Sequence, residues 1–67
     1  MEEKFLSSLV ADRVPVTIYL TNGSKLQGLI VGVDTATILL RDHLSQLVYK
    51  NAISTIVPSR PVEGDIE

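Results

Sequence analysis

Two stretches of the chain gather side chains able to hold a nucleobase: Ile18-Tyr19-Leu20-Thr21-Asn22-Gly23-Ser24-Lys25-Leu26-Gln27-Gly28 and Ser45-Gln46-Leu47-Val48-Tyr49-Lys50-Asn51-Ala52-Ile53-Ser54-Thr55. Each sets an aromatic ring, a lysine and amide or hydroxyl groups close to a strand end. Unstacked bases of single-stranded RNA are held by that combination: the ring stacks on a base, the amides bond its edge, and the ammonium meets phosphate. Each word also has an ordinary structural use. Tyr, Thr and Val are common strand residues, Asn-Gly is a common turn, and a lone Tyr-Lys pair on a strand is more often structural than ligand-binding.

Catalytic chemistry finds little to work with. There is no cysteine and one histidine, His43, which lies beside Asp42 in a predicted turn and reads as a solvated turn residue. No HExxH, Walker or glycine-rich phosphate motif is present. A non-enzymatic protein without metal or cofactor is the expectation.

The elements that must position these groups follow from periodicity. Phe5, Leu6, Leu9 and Val10 recur at helical spacing and predict a short amphipathic helix over about residues 2–12, with Glu2 and Glu3 near the positive end of its dipole. Val14-Pro15 is expected to stop it. From Val16 the period becomes two, with Val16, Ile18 and Leu20 on one face and Thr17, Tyr19 and Thr21 on the other. Asn22-Gly23 predicts a type I′ hairpin turn, whose two central residues both take positive φ. A long strand over Lys25–Val33 contains Gly28 and Gly32, each marking a bulge, a bend or a close backbone approach. A turn at Asp34-Thr35-Ala36 leads to strands over Thr37–Asp42, Ser45–Lys50 and Ala52–Val57, and Pro58 is expected to end the last.

The predicted fold is therefore all-β with an N-terminal helix: five short strands over about residues 14–58 in a strongly bent antiparallel sheet, a small SH3-like or OB-like barrel. Residues 1–61 read as one domain and 62–67 as an acidic, disordered tail.

At 67 residues such a core barely offsets the entropy of folding. With no disulfide available and too few ligands for a metal, oligomerisation remains as the source of stability. The net charge of −2 is opposite to the basic excess that phosphate binding normally shows. The acid lies at the ends, however. Between Val14 and Val62 the chain carries Lys25, Arg41, Lys50 and Arg60 against Asp34 and Asp42. No charged-then-apolar leader precedes a cleavage site, and no apolar run approaches the roughly 20 residues of a membrane span, so a cytoplasmic protein without membrane contact is expected.

Taken in order, the words resemble the bacterial Hfq family of Sm-like RNA chaperones. They run from Phe5 through Val14-Pro15-Val16, Ile18-Tyr19-Leu20, Asn22-Gly23, Lys25-Leu26-Gln27-Gly28, Asp34, Ser45-Gln46, Val48-Tyr49-Lys50 and Ala52-Ile53-Ser54-Thr55 to Val57-Pro58-Ser59-Arg60. The resemblance covers nearly the whole chain. It implies an Sm-like sheet assembled as a homohexameric ring, the fourth strand of one subunit pairing with the fifth of the next. It also implies partners, namely single-stranded RNA, small regulatory RNA and mRNA, in post-transcriptional regulation.

The family's RNA-binding surfaces carry over unequally. On the distal face, which takes adenine-rich RNA, Tyr19, Asn22, Gly23, Lys25, Leu26, Gln27, Gln46 and Thr55 stand at matching positions, while Ser24 replaces the usual aliphatic residue. On the proximal face, which takes uridine, Tyr49 and Lys50 remain. There Asn51 replaces a histidine, Thr35-Ala36 stands where many members carry an aromatic, and Glu2 stands where the family has glutamine. Weaker uridine binding follows. At the rim an arginine patch is reduced to Arg13, within Val10-Ala11-Asp12-Arg13, which weakens the expected annealing activity. The acidic balance and the reduced rim also suit an alternative, an Sm-like ring that has drifted toward protein contacts or mixed rings.

Overall fold

The helical spacing of Phe5, Leu6, Leu9 and Val10 becomes α1, Glu3–Ala11, in the computed structural model, which describes residues 3–60. Leu6 and Leu9 are fully buried, and Phe5 and Val10 pack beside them. A helix this short is marginal alone in water. Burial of each leucine contributes roughly 1.5–3 kcal/mol, so α1 persists because β2 accepts its apolar face. Glu2 and the expected tail, 62–67, lie outside the described residues.

The helix ends earlier than Val14-Pro15 and by another device. Arg13 takes the left-handed region at φ +52, the Val14 N–H donates to the Leu9 carbonyl at 3.2 Å, and the Arg13 N–H donates to the Val10 carbonyl at 3.3 Å. These are the paired bonds of a Schellman motif, in which glycine usually holds the left-handed position. Arginine there strains its backbone. Arg13→Gly is expected to stabilise the protein by about 0.5–1 kcal/mol in chemical denaturation; a gain no larger than that of Arg13→Ala would show that this strain is absent.

Five strands follow: β1 (Pro15–Leu20), β2 (Lys25–Val33), β3 (Thr37–Arg41), β4 (Ser45–Tyr49) and β5 (Ile53–Pro58). All pairings are antiparallel, in one sheet of order β4-β3-β2-β1-β5. The all-β fold with an N-terminal helix is the one the periodicity predicted. The sheet is bent but open, with β4 and β5 at its edges. Val16, Ile18, Ile30, Ile38, Leu40 and Val48 line its inner face and meet Leu6, Leu9 and Val14, and no polar residue is buried among those described.

Several boundaries differ from expectation. β3 ends at Arg41 rather than Asp42. Lys50–Ala52 form a short 3-10 turn, η1, closed by the Ile53 N–H on the Lys50 carbonyl, so β4 stops at Tyr49 and β5 starts at Ile53. β5 ends with Pro58 as its last residue, one position beyond the expected Val57, since an edge strand needs no donor on its outer side.

The hairpin between β1 and β2 is also of another kind. Gly23 has φ +92 while Asn22 stays at negative φ. The Gly23 N–H donates to the Leu20 carbonyl at 3.0 Å, and the Leu20 N–H to the Ser24 carbonyl at 2.8 Å. This is a three-residue loop in which a left-handed glycine follows the turn, so only Gly23 needs the conformational freedom. The Asn22 carboxamide oxygen accepts the Ser24 N–H at 2.8 Å, a local bond that asparagine is suited to supply.

Candidate nucleic-acid interface

Antiparallel register turns separated sequence positions into rows. Tyr19 pairs with Lys25 on β2 and with Thr55 on β5, so Thr55, Tyr19 and Lys25 lie side by side across three strands. Two residues along, Thr17 pairs with Gln27 and Val57 on the same outer face. Tyr19 is 41% exposed in the middle of its row, a ring held by its neighbours yet open to solvent. The Gln27 amide nitrogen donates to the Thr17 hydroxyl at 3.3 Å, which orients the carboxamide and leaves its oxygen free to accept. Thr17 was not among the sequence candidates, although the period of two placed it on the face of Tyr19.

Beside these rows lies a pocket of about 250 Å³ lined by Lys25, Leu26, Gln27, Leu40, Asp42, His43, Leu44 and Gln46. Gln46 reaches it because it pairs with Leu40 and shares the inner-face side of the sheet at the β4 edge. Lys25, Leu26, Gln27 and Gln46 thus meet in one concavity, with Tyr19 and Thr55 joined through the row. Asn22, Gly23 and Ser24 are exposed at the hairpin tip next to Lys25. The Thr21 N–H donates to the Ala52 carbonyl at 2.8 Å and ties that tip to η1. Leu40, Asp42, His43 and Leu44 carried no sequence signal for this pocket, because only the β3–β4 register brings them there.

The second group also converges. The Lys50 N–H donates to the Ala36 carbonyl at 2.8 Å, Thr37 pairs with Tyr49, and the Thr35 N–H donates to the Asp34 carboxylate at 2.7 Å. Thr35, Ala36, Tyr49, Lys50 and Asn51 therefore form one neighbourhood where the β2–β3 turn meets η1. Tyr49 is 59% exposed, and Ala36 offers no ring to face it.

At the helix end the structure adds a cation that the local sequence does not show. The Arg60 guanidinium donates to the Asp12 carbonyl at 3.1 Å, bringing Arg60 to the exposed end of α1 beside Arg13. A donor at a helix C-terminus satisfies an orphan carbonyl and meets the negative end of the dipole.

Among the described residues, no group of three or more His, Cys, Asp or Glu side chains could hold a metal ion, and no helix is long and apolar enough to cross a membrane.

A short helix laid on a bent, open five-stranded antiparallel sheet, with an exposed tyrosine, lysine and carboxamides around one concavity, defines an Sm-like RNA-binding protein. The chain belongs to the Hfq family, whose model, described as Hfq protein, matches residues 1–63. It is similar to a crystal structure of the pleiotropic translational regulator Hfq, with 30% identity and a TM-score of 0.83 over 87% of this chain and 89% of that one. It is also similar to an Hfq protein from Anabaena sp., with 25% identity and a TM-score of 0.78 over 84% of this chain and 92% of that one.

Proposed function

We propose that the chain assembles as a homohexameric ring in the cytoplasm and binds adenine-rich single-stranded RNA across the surface built from Tyr19, Asn22, Gly23, Ser24, Lys25, Leu26, Gln27, Gln46 and Thr55. Small regulatory RNA and mRNA are the partners that membership of the Hfq family suggests. The observation that carries this reading is the Thr55–Tyr19–Lys25 row running beside the pocket of Gln27 and Gln46. It supplies a stacking face, a cation and base-reading amides on adjoining parts of one surface.

Thr35, Ala36, Tyr49, Lys50 and Asn51 form the weaker, uridine-binding surface, because no second aromatic backs Tyr49. Arg13 with Arg60 makes up a reduced rim. The open edges support the ring. β4 exposes Leu47 and Tyr49, β5 exposes Val57, and unpaired apolar edges of this kind seek another strand.

Sedimentation velocity of the full chain with fluorescein-labelled oligo(A) or oligo(U) tests both parts together. The expected result is a species near six chain masses that carries oligo(A) at low salt and carries oligo(U) far less well. A species of one chain mass at micromolar concentration would overturn the ring. A ring that leaves oligo(A) unbound would overturn the RNA reading in favour of a protein scaffold, and equal binding of the two oligonucleotides would overturn the unequal faces.

A further inference from the structure

The β3–β4 connection closes tightly on itself. Arg41 pairs with Ser45, and the Asp42 N–H donates to the Leu44 carbonyl at 3.0 Å, which leaves His43 at the tip. This three-residue loop displays an imidazole 91% exposed and a leucine 70% exposed, and both line the pocket of Lys25, Gln27 and Gln46. His43 Nε2 lies 3.6 Å from the Asp42 carboxylate. At about 250 Å³ the pocket is smaller than the roughly 300–1,000 Å³ of a drug-sized ligand site, a fit for one flat ring system rather than a whole nucleotide.

We propose that the β3–β4 loop is part of the nucleobase site, with His43 as a specificity-determining residue whose imidazole stacks on a base seated against Leu26 and Leu44. The inference rests on the RNA-binding reading above and extends it to a loop that the reading does not use. Histidine is among the side chains on which unpaired bases stack. The two carboxamides, Gln27 and Gln46, are then left to bond the edge of the same base.

The test is fluorescence anisotropy of a short labelled oligo(A) with the full chain. It compares wild type, His43→Ala, His43→Phe and Tyr19→Ala. The exposure of His43 makes folding of its variants secure. Expected are a loss of about fivefold or more in His43→Ala, and near-wild-type affinity in His43→Phe, which keeps a flat ring. If Tyr19→Ala loses binding while His43→Ala matches wild type, the loop lies outside the site and this inference fails alone. If His43→Phe binds as weakly as His43→Ala, stacking by the ring is refuted. If wild type binds no oligo(A), or Tyr19→Ala binds as wild type does, the RNA-binding reading of this face falls and the loop's role falls with it.

Discussion

Gly28→Ala is expected to destabilise the protein by about 3 kcal/mol or more, lowering the melting temperature by roughly 12–24 °C at fixed protein concentration. A Cβ at Gly28 would lie 2.5 Å from the Arg41 carbonyl oxygen and 3.0 Å from its carbon, and the backbone there has φ +156. Both obstacles are main chain, so no rotamer change removes them. Arg41 is where β3 leaves the sheet and the β3–β4 loop begins, so any displacement also disturbs the wall of the pocket. Gly32→Ala is the internal control. Its Cβ would meet only the Leu39 side chain at 3.6 and 4.0 Å, an ordinary contact, and its cost should stay within about 1 kcal/mol. Thermal and urea unfolding of both variants decide the matter: equal melting temperatures would contradict the steric account.

Under the proposed function, Tyr19→Ala is the binding variant with the largest expected effect, weakening oligo(A) binding by about 1–3 kcal/mol for each base stacked, roughly 5- to 150-fold. Tyr19→Phe should stay within about threefold of wild type, because the ring, not the hydroxyl, supplies the stacking face. Tyr19 lies outside the buried core, so urea unfolding should show a loss below about 1 kcal/mol in the alanine variant. That separates a lost contact from a lost fold. Competition anisotropy in which Tyr19→Ala and wild type bind oligo(A) equally would remove this residue from the interface.

The two glycines show where a linear reading stops. Gly28 and Gly32 look alike in sequence, each an interruption of an apolar strand, and both announce a bend or a close approach. The irregularity of register falls between Ile30 and Gly32, whereas the backbone contact that excludes a side chain falls at Gly28. What separates them is the position of Arg41, thirteen residues further on. The hairpin teaches the same point locally: Asn-Gly announces a turn, but the bonds on Leu20 and Ser24 make it a three-residue loop in which asparagine keeps negative φ.

By itself, the sequence determined the helix, the order and approximate extent of the strands, and which face of each strand is apolar. These depend on hydrophobic period and turn chemistry, both confined to a few neighbouring residues. The family resemblance also assigned Tyr19, Lys25, Gln27, Gln46 and Thr55 to one face, since they stand at matching positions. Only the tertiary structure decided that Thr55 and Lys25 flank Tyr19 in a single row and that Asp42, His43 and Leu44 close the pocket with Gln46. It alone brought Arg60 to the end of α1 beside Arg13. The reason is physical. A one-residue change of register turns a side chain to the other face, and register between strands is set by the packing of the whole sheet around Leu6, Ile18, Ile38 and Leu40, not by any segment read alone.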